Sequence, residues 1–421
     1  MATDETTRHR TTTGEPGRIL ILGGGFAGLW SAAAAARALS ELGKGPDSAE
    51  TLLVNRDAYH GIRVRNYEAD IASARLPLAD VLDPIGVRHV LGEVAAIDTA
   101  NRSVDVAGTD GVQRLRYDRM VFALGSEIAR PPLPGLAQHA FDVDTYANAE
   151  SLARHLASLP HGPARTGRYT AIVVGAGPTG IETAAELPAR LRALNPDASA
   201  RDIRVILLDR SRIGAALGPS AEPVIAEALH SLGIETRGDV EIQCLDEQGI
   251  RLRGGEAIPA ATLIWCGGLR ANPWTRELPV ELDPLGRAPV DPFMQVRGVP
   301  GVFAAGDSAN ALLDERHHSV MSCQHSRPMG RYAGYNAARD LFGLPMVTLR
   351  IDGYVTVVDL GCWGAVYTEG WEHRLAAVGK VAKETKRIIN TQRIYPPPGG
   401  DRGAILAAAA PVVQTPPGYA A

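Results

Sequence analysis

Residues 18–31 read Arg-Ile-Leu-Ile-Leu-Gly-Gly-Gly-Phe-Ala-Gly-Leu-Trp-Ser. Four consecutive apolar residues, Ile19 to Leu22, are the pattern of a short strand buried on both faces. The run stops at Gly23 and the alanine-rich stretch 31–39 reads as a helix, so Gly23, Gly25 and Gly28 take the three positions of a strand–turn–helix dinucleotide fingerprint. The first glycine permits the tight turn, the second lets the backbone approach a pyrophosphate, and the third lets helix and strand pack closely. The helix N-terminus then offers its free N–H groups to the phosphates. These glycines, with Phe26 and Ala27, are the first candidate cofactor-binding residues.

A single glycine-rich turn is weak evidence, but the chain carries a second. Residues 171–180 read Ala-Ile-Val-Val-Gly-Ala-Gly-Pro-Thr-Gly, again an apolar strand, with Gly175, Gly177 and Gly180 at the same spacing and Pro178 and Thr179 among them. A helix over 181–194 follows. Two such units in one chain imply two dinucleotides.

The chain has 421 residues, 45% apolar and 21% charged, which is the composition of a globular protein of two or three domains. A net charge of −4, with Lys and Arg scattered, gives no footprint for nucleic acid. No run reaches the roughly 18 apolar residues of a membrane span, so membrane association is expected to be peripheral at most. Cys244, Cys266, Cys323 and Cys362 are far apart and form neither a metal pattern nor a disulfide framework. No metal site is expected, and a reducing cytoplasm is the simple inference.

These signals predict an α/β protein with two Rossmann-like dinucleotide-binding domains, the first interrupted by the second. The expected division is a disordered tail at 1–17, a first domain at 18–146 and 286–345, a second at 147–285, and a C-terminal segment at 346–421. Within the first domain, residues 51–55 read as the second strand, and Asn55 stands where an acid usually meets a ribose, with Arg56 beside it. Stretches 92–98 and 102–106 alternate like a hairpin. In the second domain Asp209 ends a strand about 30 residues past the glycines, where an acid accepts from an adenosine ribose; that favours NADH. Arg210 and Arg212 follow at once and keep NADPH open.

The order of these motifs resembles the glutathione-reductase-like flavoproteins, over residues of roughly 18–398. Its markers are the two glycine turns, the segment from Tyr117-Asp118 to Ala123-Leu124-Gly125, and Gly306-Asp307. Within that superfamily the chain is most similar to the type II NADH dehydrogenase branch. The supporting residues are Gly-Pro-Thr-Gly-Ile-Glu at 177–182, Trp265 before Gly267 and Gly268, and Cys323-Gln324 ahead of Gly330.

The resemblance implies FAD on the first turn and NADH or NADPH on the second, with electrons passing directly through the flavin to a quinone or other small conjugated acceptor. It implies that Asp307, after Gly306, meets the ribityl chain and Val94 the adenine, with Ala123, Gly125 and Gly268 also on the cofactors. Gln324 and His325 would lie against the isoalloxazine, His325 as a proton donor to the acceptor, and Glu182 near nicotinamide and flavin.

The chain departs from that branch in two places. Where two glutamines are expected at the quinone site, only Gln324 is present, and a helix over 374–390 carrying Lys380, Lys383, Lys386 and Arg387 reads as a solvated face rather than a membrane anchor. No cysteine pair or flavin-side cysteine near Tyr59-His60 is present for thiol chemistry. Cys323 reads as a small buried residue and His317-His318 as a surface pair. A ferredoxin-type reductase and a non-catalytic FAD and NAD(P)H sensor are the alternative readings, and the oligomeric state, a homodimer included, stays open.

Overall fold

The computed structural model describes residues 16–196, 198–199 and 202–419. The expected tail lies outside the described residues up to residue 15, and its last residue, Gly17, already begins a strand. That strand, Gly17–Leu22, is the centre of a parallel sheet of five. Across the sheet the order is Val302–Ala304, Arg119–Phe122, Gly17–Leu22, Ala49–Asn55 and Arg88–Leu91. Ile19 to Leu22 are wholly buried, as a strand covered on both faces requires. Helix α1, Phe26–Glu41, starts five residues earlier than its alanines suggested, directly at the glycine turn.

The second sheet repeats the pattern with Ala140–Phe141, Thr262–Trp265, Thr170–Val174, Arg204–Leu208 and Ile234–Arg237, all parallel. Its edge strand Ala140–Phe141 lies ahead of residue 147, where the second domain was expected to start. Helix α2, Pro178–Leu194, follows the second glycine turn with Pro178 at its first position, where a missing N–H costs nothing. The chain leaves and re-enters the first unit through an antiparallel pair, Ser126–Ile128 with Leu269–Ala271.

Helix α3, Cys323–Leu341, returns the chain across α1. The approach is so close that a Cβ on Gly330 would stand 2.2 Å from the Ala27 carbonyl oxygen, and one on Gly334 1.9 Å from that of Ser31. The Ser31 hydroxyl bridges the two helices, 3.0 Å from the Gly330 carbonyl oxygen.

The expected hairpin at 92–106 is a three-stranded meander, Glu93–Asp98, Ser103–Gly108 and Gly111–Arg116. A second meander, Val355–Asp359, Ala365–Glu369 and Arg374–Val378, leads into helix α4, Gly379–Ile388. The helix expected from residue 374 therefore begins five residues later. Residues 375–378 are apolar and pair with 366–368, so they continue the sheet instead of turning into a helix. Among the described residues no helix is long and apolar enough to cross a membrane.

The α1–α3 contact yields a direct test. Gly334→Val should destabilise the protein by about 1–3 kcal/mol through overpacking, read as a lower midpoint in chemical denaturation. Gly45→Ala, in open space on a loop, serves as the control and should leave the midpoint in place.

Candidate active site

The two glycine turns are built alike. Gly23 and Gly175 have φ of +102° and +105°, and a Cβ there would meet the carbonyl oxygen of Ala123 at 2.4 Å and of Cys266 at 2.5 Å. Their amides donate to Val54 and Leu208, each at 2.8 Å. A Cβ on Gly28 or Gly180 would stand 1.8 or 1.7 Å from the carbonyl oxygen of the first glycine of its own turn. The middle glycines differ: a Cβ on Gly25 or Gly177 would have no protein atom within 4 Å beyond its own chain neighbours. Protein packing therefore demands the outer glycines, whereas the middle ones leave room for a group from outside.

Both open positions face one continuous cleft of about 3130 Å³, several times the roughly 300–1,000 Å³ of a site for one drug-sized ligand. Phe26, Ala27, Val94, Ala123, Gly125 and Asp307 line its first half. Gly177, Pro178, Thr179, Asp209 and Gly268 line its second. Gly28 and Gly306 stand behind the wall, and a Cβ on Gly306 would meet that of Ala27 at 2.7 Å.

Asn55 and Asp209 occupy matching places, each accepting from the second residue of its turn: Gly24 N–H to Asn55 Oδ1 at 2.9 Å, Ala176 N–H to Asp209 Oδ2 at 2.6 Å. Asn55 also donates to the Asp57 carbonyl at 2.8 Å, so its side chain is a buttress for the turn on the cleft wall. Asp209 accepts the Ser211 N–H at 2.8 Å and keeps further lone pairs for the cleft. Arg56 is exposed on the first half, and Arg212 turns to Glu222 at 3.3 Å. Asp307 accepts from Ser126 Oγ at 2.6 Å and Ser326 Oγ at 3.2 Å, with the Arg63 guanidinium 3.6 Å away.

At the start of α3, Gln324 lines the cleft and its buried Nε2 has no partner. His325, one residue on, is about 100° further round the helix, and the structure corrects its expected role. It is wholly buried, accepts the Val320 N–H on Nδ1 at 3.0 Å, and packs among Tyr354 and Trp371 rather than on the cleft. Burial lowers its pKa to about 4, so at neutral pH it holds no proton beyond the one on Nε2. Cys323 lies on the cleft, where burial pushes its thiol up and away from a reactive thiolate. His317 pairs with Asp314 at 2.7 Å and stacks on Trp371. No cluster of His, Cys, Asp or Glu suited to a metal occurs among the described residues.

Glu182, in the second turn of α2, is 5% exposed. It accepts Lys386 Nζ at 2.6 Å and the Asp359 N–H at 3.0 Å. Burial pushes its carboxyl up, against the pull of Lys386. Burial also opposes the charge on Lys386, but the carboxylates of Glu182 and Asp359 overcome it and raise its pKa. Lys383 pairs with Asp359 at 2.5 Å, and Tyr67 donates to that carboxylate at 3.2 Å. The α4 face expected to be solvated thus carries Lys386 into the cleft wall. No sequence signal marked it, because its partner Glu182 is distant in the chain.

The donor set fits a bound dinucleotide on each turn, on the strength of the two open glycine positions and the orphaned Gln324 amide. The sequence profile of the pyridine nucleotide-disulphide oxidoreductase family matches residues 17–330. The chain is 51% identical over 401 residues to an NADH dehydrogenase-like protein of Mycobacterium tuberculosis, covering 95% of this chain and all of that one. It is 28% identical over 360 residues to a demethylphylloquinone reductase of Synechocystis, covering 83% and 86%. The structure of NDH2 from Plasmodium falciparum superimposes with a TM-score of 0.75 at 13% identity, over 94% and 97% of the two chains.

Two measurements follow from this geometry. Gly25→Val should leave the fold intact, since no protein atom opposes the side chain, yet strip FAD from the purified protein; a fully yellow variant would contradict the cradle. His60 and His325 are buried and lowered to about 4 from 6.5. The unfolded chain therefore binds more protons between those values, and stability falls as pH drops through that window. The loss should be on the order of 2–3 kcal/mol per ring, read by urea unfolding at about pH 7 and about pH 4.5; a flat profile would show that the rings titrate normally.

Proposed function

The chain belongs to the pyridine nucleotide-disulphide oxidoreductase family, and from that premise we propose that it is an FAD-dependent enzyme that oxidises NADH and reduces a small quinone-like acceptor. The observation that carries the reading is the pair of glycine cradles opening into one cleft, which Glu182, Gln324 and Lys386 also line. The names of the relatives, NADH dehydrogenase-like protein and demethylphylloquinone reductase, support it. When bound, FAD supplies the ring that carries two electrons from reduced nicotinamide to the acceptor.

The chain's own contribution is placement and charge. Gly25 and the N-terminus of α1 would hold the FAD pyrophosphate on open backbone, Val94 would meet the adenine, and Asp307, oriented by Ser126 and Ser326, would meet the ribityl chain. Gln324 Nε2 provides an unused donor for the polar edge of the flavin. Gly177 and Thr179 at the start of α2 receive NADH, and the Asp209 carboxylate favours a ribose hydroxyl over a 2′-phosphate. Lys386 Nζ, held charged by Glu182, adds a fixed positive charge to the cleft wall.

All four cysteines are free, Cys266 and Cys323 on the cleft included, so despite the family's name the reading needs no disulfide. Free thiols also support a reducing compartment, the cytoplasm.

Anaerobic NADH should bleach the yellow protein, and a naphthoquinone should restore the colour. A protein that stays colourless with excess FAD would overturn the reading. Glu182→Gln should keep FAD but slow bleaching by about tenfold or more, because it takes from the buried Lys386 cation the carboxylate it is hydrogen-bonded to. Wild-type kinetics in stopped flow would make Glu182 a structural residue only.

A further inference from the structure

Most buried or half-buried arginines here have a carboxylate partner, as Arg65 has Glu68, Arg119 has Asp340 and Arg287 has Asp283. Three do not. Arg327 and Arg331, one turn apart on α3, are 7% and 1% exposed, and their guanidiniums stand 5.3 and 4.3 Å from the centre of the Trp30 ring. Arg393, from the turn after α4, is close enough to repel both. Among the described residues no carboxylate acts on any of the three. Burial and mutual repulsion lower Arg327 to about 10 and Arg331 to about 9, yet a guanidinium gives up its proton so reluctantly that all three stay charged at neutral pH.

Among the described residues their acceptors are neutral and come from one segment. Arg327 donates to Gln414 Oε1 at 3.1 Å, Arg331 to the Val412 carbonyl at 3.5 Å, and Arg393 to the Thr415 carbonyl. Tyr367 ties the end of that segment down through the Pro417 carbonyl at 3.0 Å. Arg327 Nε and the Nε and Nη2 of Arg331 are buried with no partner at all. Both arginines and Arg393 line the same cleft as Gln324, and Arg327 lies three residues beyond it on α3. Like charges buried without a counter-charge are costly, and free guanidinium edges match the paired oxygens of a carboxylate or phosphate.

We propose that Arg327, Arg331 and Arg393 form an anion subsite beneath residues 412–417, and that the acceptor of this enzyme carries a carboxylate or phosphate group alongside its reducible ring. The proposal rests on the redox reading above and narrows its substrate class. The arrangement places the charged end of the acceptor under the C-terminal strap and leaves its ring toward Gln324. A phosphate of the bound FAD offers the same chemistry, and the test separates the two sources.

The probes are a naphthoquinone bearing a short carboxyalkyl chain and its methyl ester, which share one ring. Calorimetric titration of the FAD-loaded protein without NADH should show the acid binding at least about tenfold more tightly than the ester. Inorganic phosphate should weaken binding of the acid and not of the ester. In Arg331→Gln and Arg393→Gln the preference for the acid should fall toward unity; if Arg331→Gln does not fold, the more exposed Arg393 carries the test. Equal affinities in the wild type would overturn the subsite. Loss of flavin from the variants with the acid preference intact would also overturn it, assigning the arginines to the FAD phosphates. Bleaching by NADH is read separately: bleaching with equal affinities defeats only the subsite, whereas an acid preference without bleaching defeats only the redox reading.

Discussion

Everything in this molecule depends on how closely a helix can approach the end of a strand. At both turns the third glycine lies against the carbonyl oxygen of the first, at a distance that leaves no room for a single methyl group. That contact fixes the entry angle of α1 and α2, and the angle aims their N-termini into the cleft. The same rule governs the other side of α1, where Gly330 and Gly334 let α3 cross against backbone. Through α3 the constraint reaches Gln324, so placement of the site is set by glycines that touch no ligand.

Buried charge divides the cleft into two kinds of wall. Around Glu182 each charge has a partner: Lys386 on Glu182, Lys383 on Asp359, and a tyrosine hydroxyl on the same carboxylate. Such a network rigidifies what it touches, because removing one member strands another. Around Arg331 the pattern is reversed, with cations gathered under a segment that offers only neutral oxygens. One wall is complete in itself and the other is completed from outside.

The C-terminal part of the chain is divided between the two units. Val358, Leu360 and Val366 pack into the core of the second unit, whereas Ile405 and Ala409 pack into the core of the first. Residues 346–419 therefore act as a clasp across the cleft, which is how Lys386 and Arg393 come to line a site built by two nucleotide-binding sheets.

The sequence by itself determined the two turns, the strands that feed them and the family, because those features rest on local rules: a glycine at a fixed spacing and an apolar run short enough to be a buried strand. It also made Asp209, Asp307 and Gln324 readable as candidates from their position relative to those turns, and all three line the cleft. Only the tertiary structure decided the rest. His325 and Gln324 are neighbours in the chain, yet helix geometry turns one into an aromatic cluster and the other onto the cleft. Lys386 reads as a solvated lysine until a carboxylate 204 positions earlier is brought to 2.6 Å from it. The want of partners at Arg327, Arg331 and Arg393 is likewise invisible in one dimension, since a missing contact is a property of everything folded around a group and not of the residues beside it.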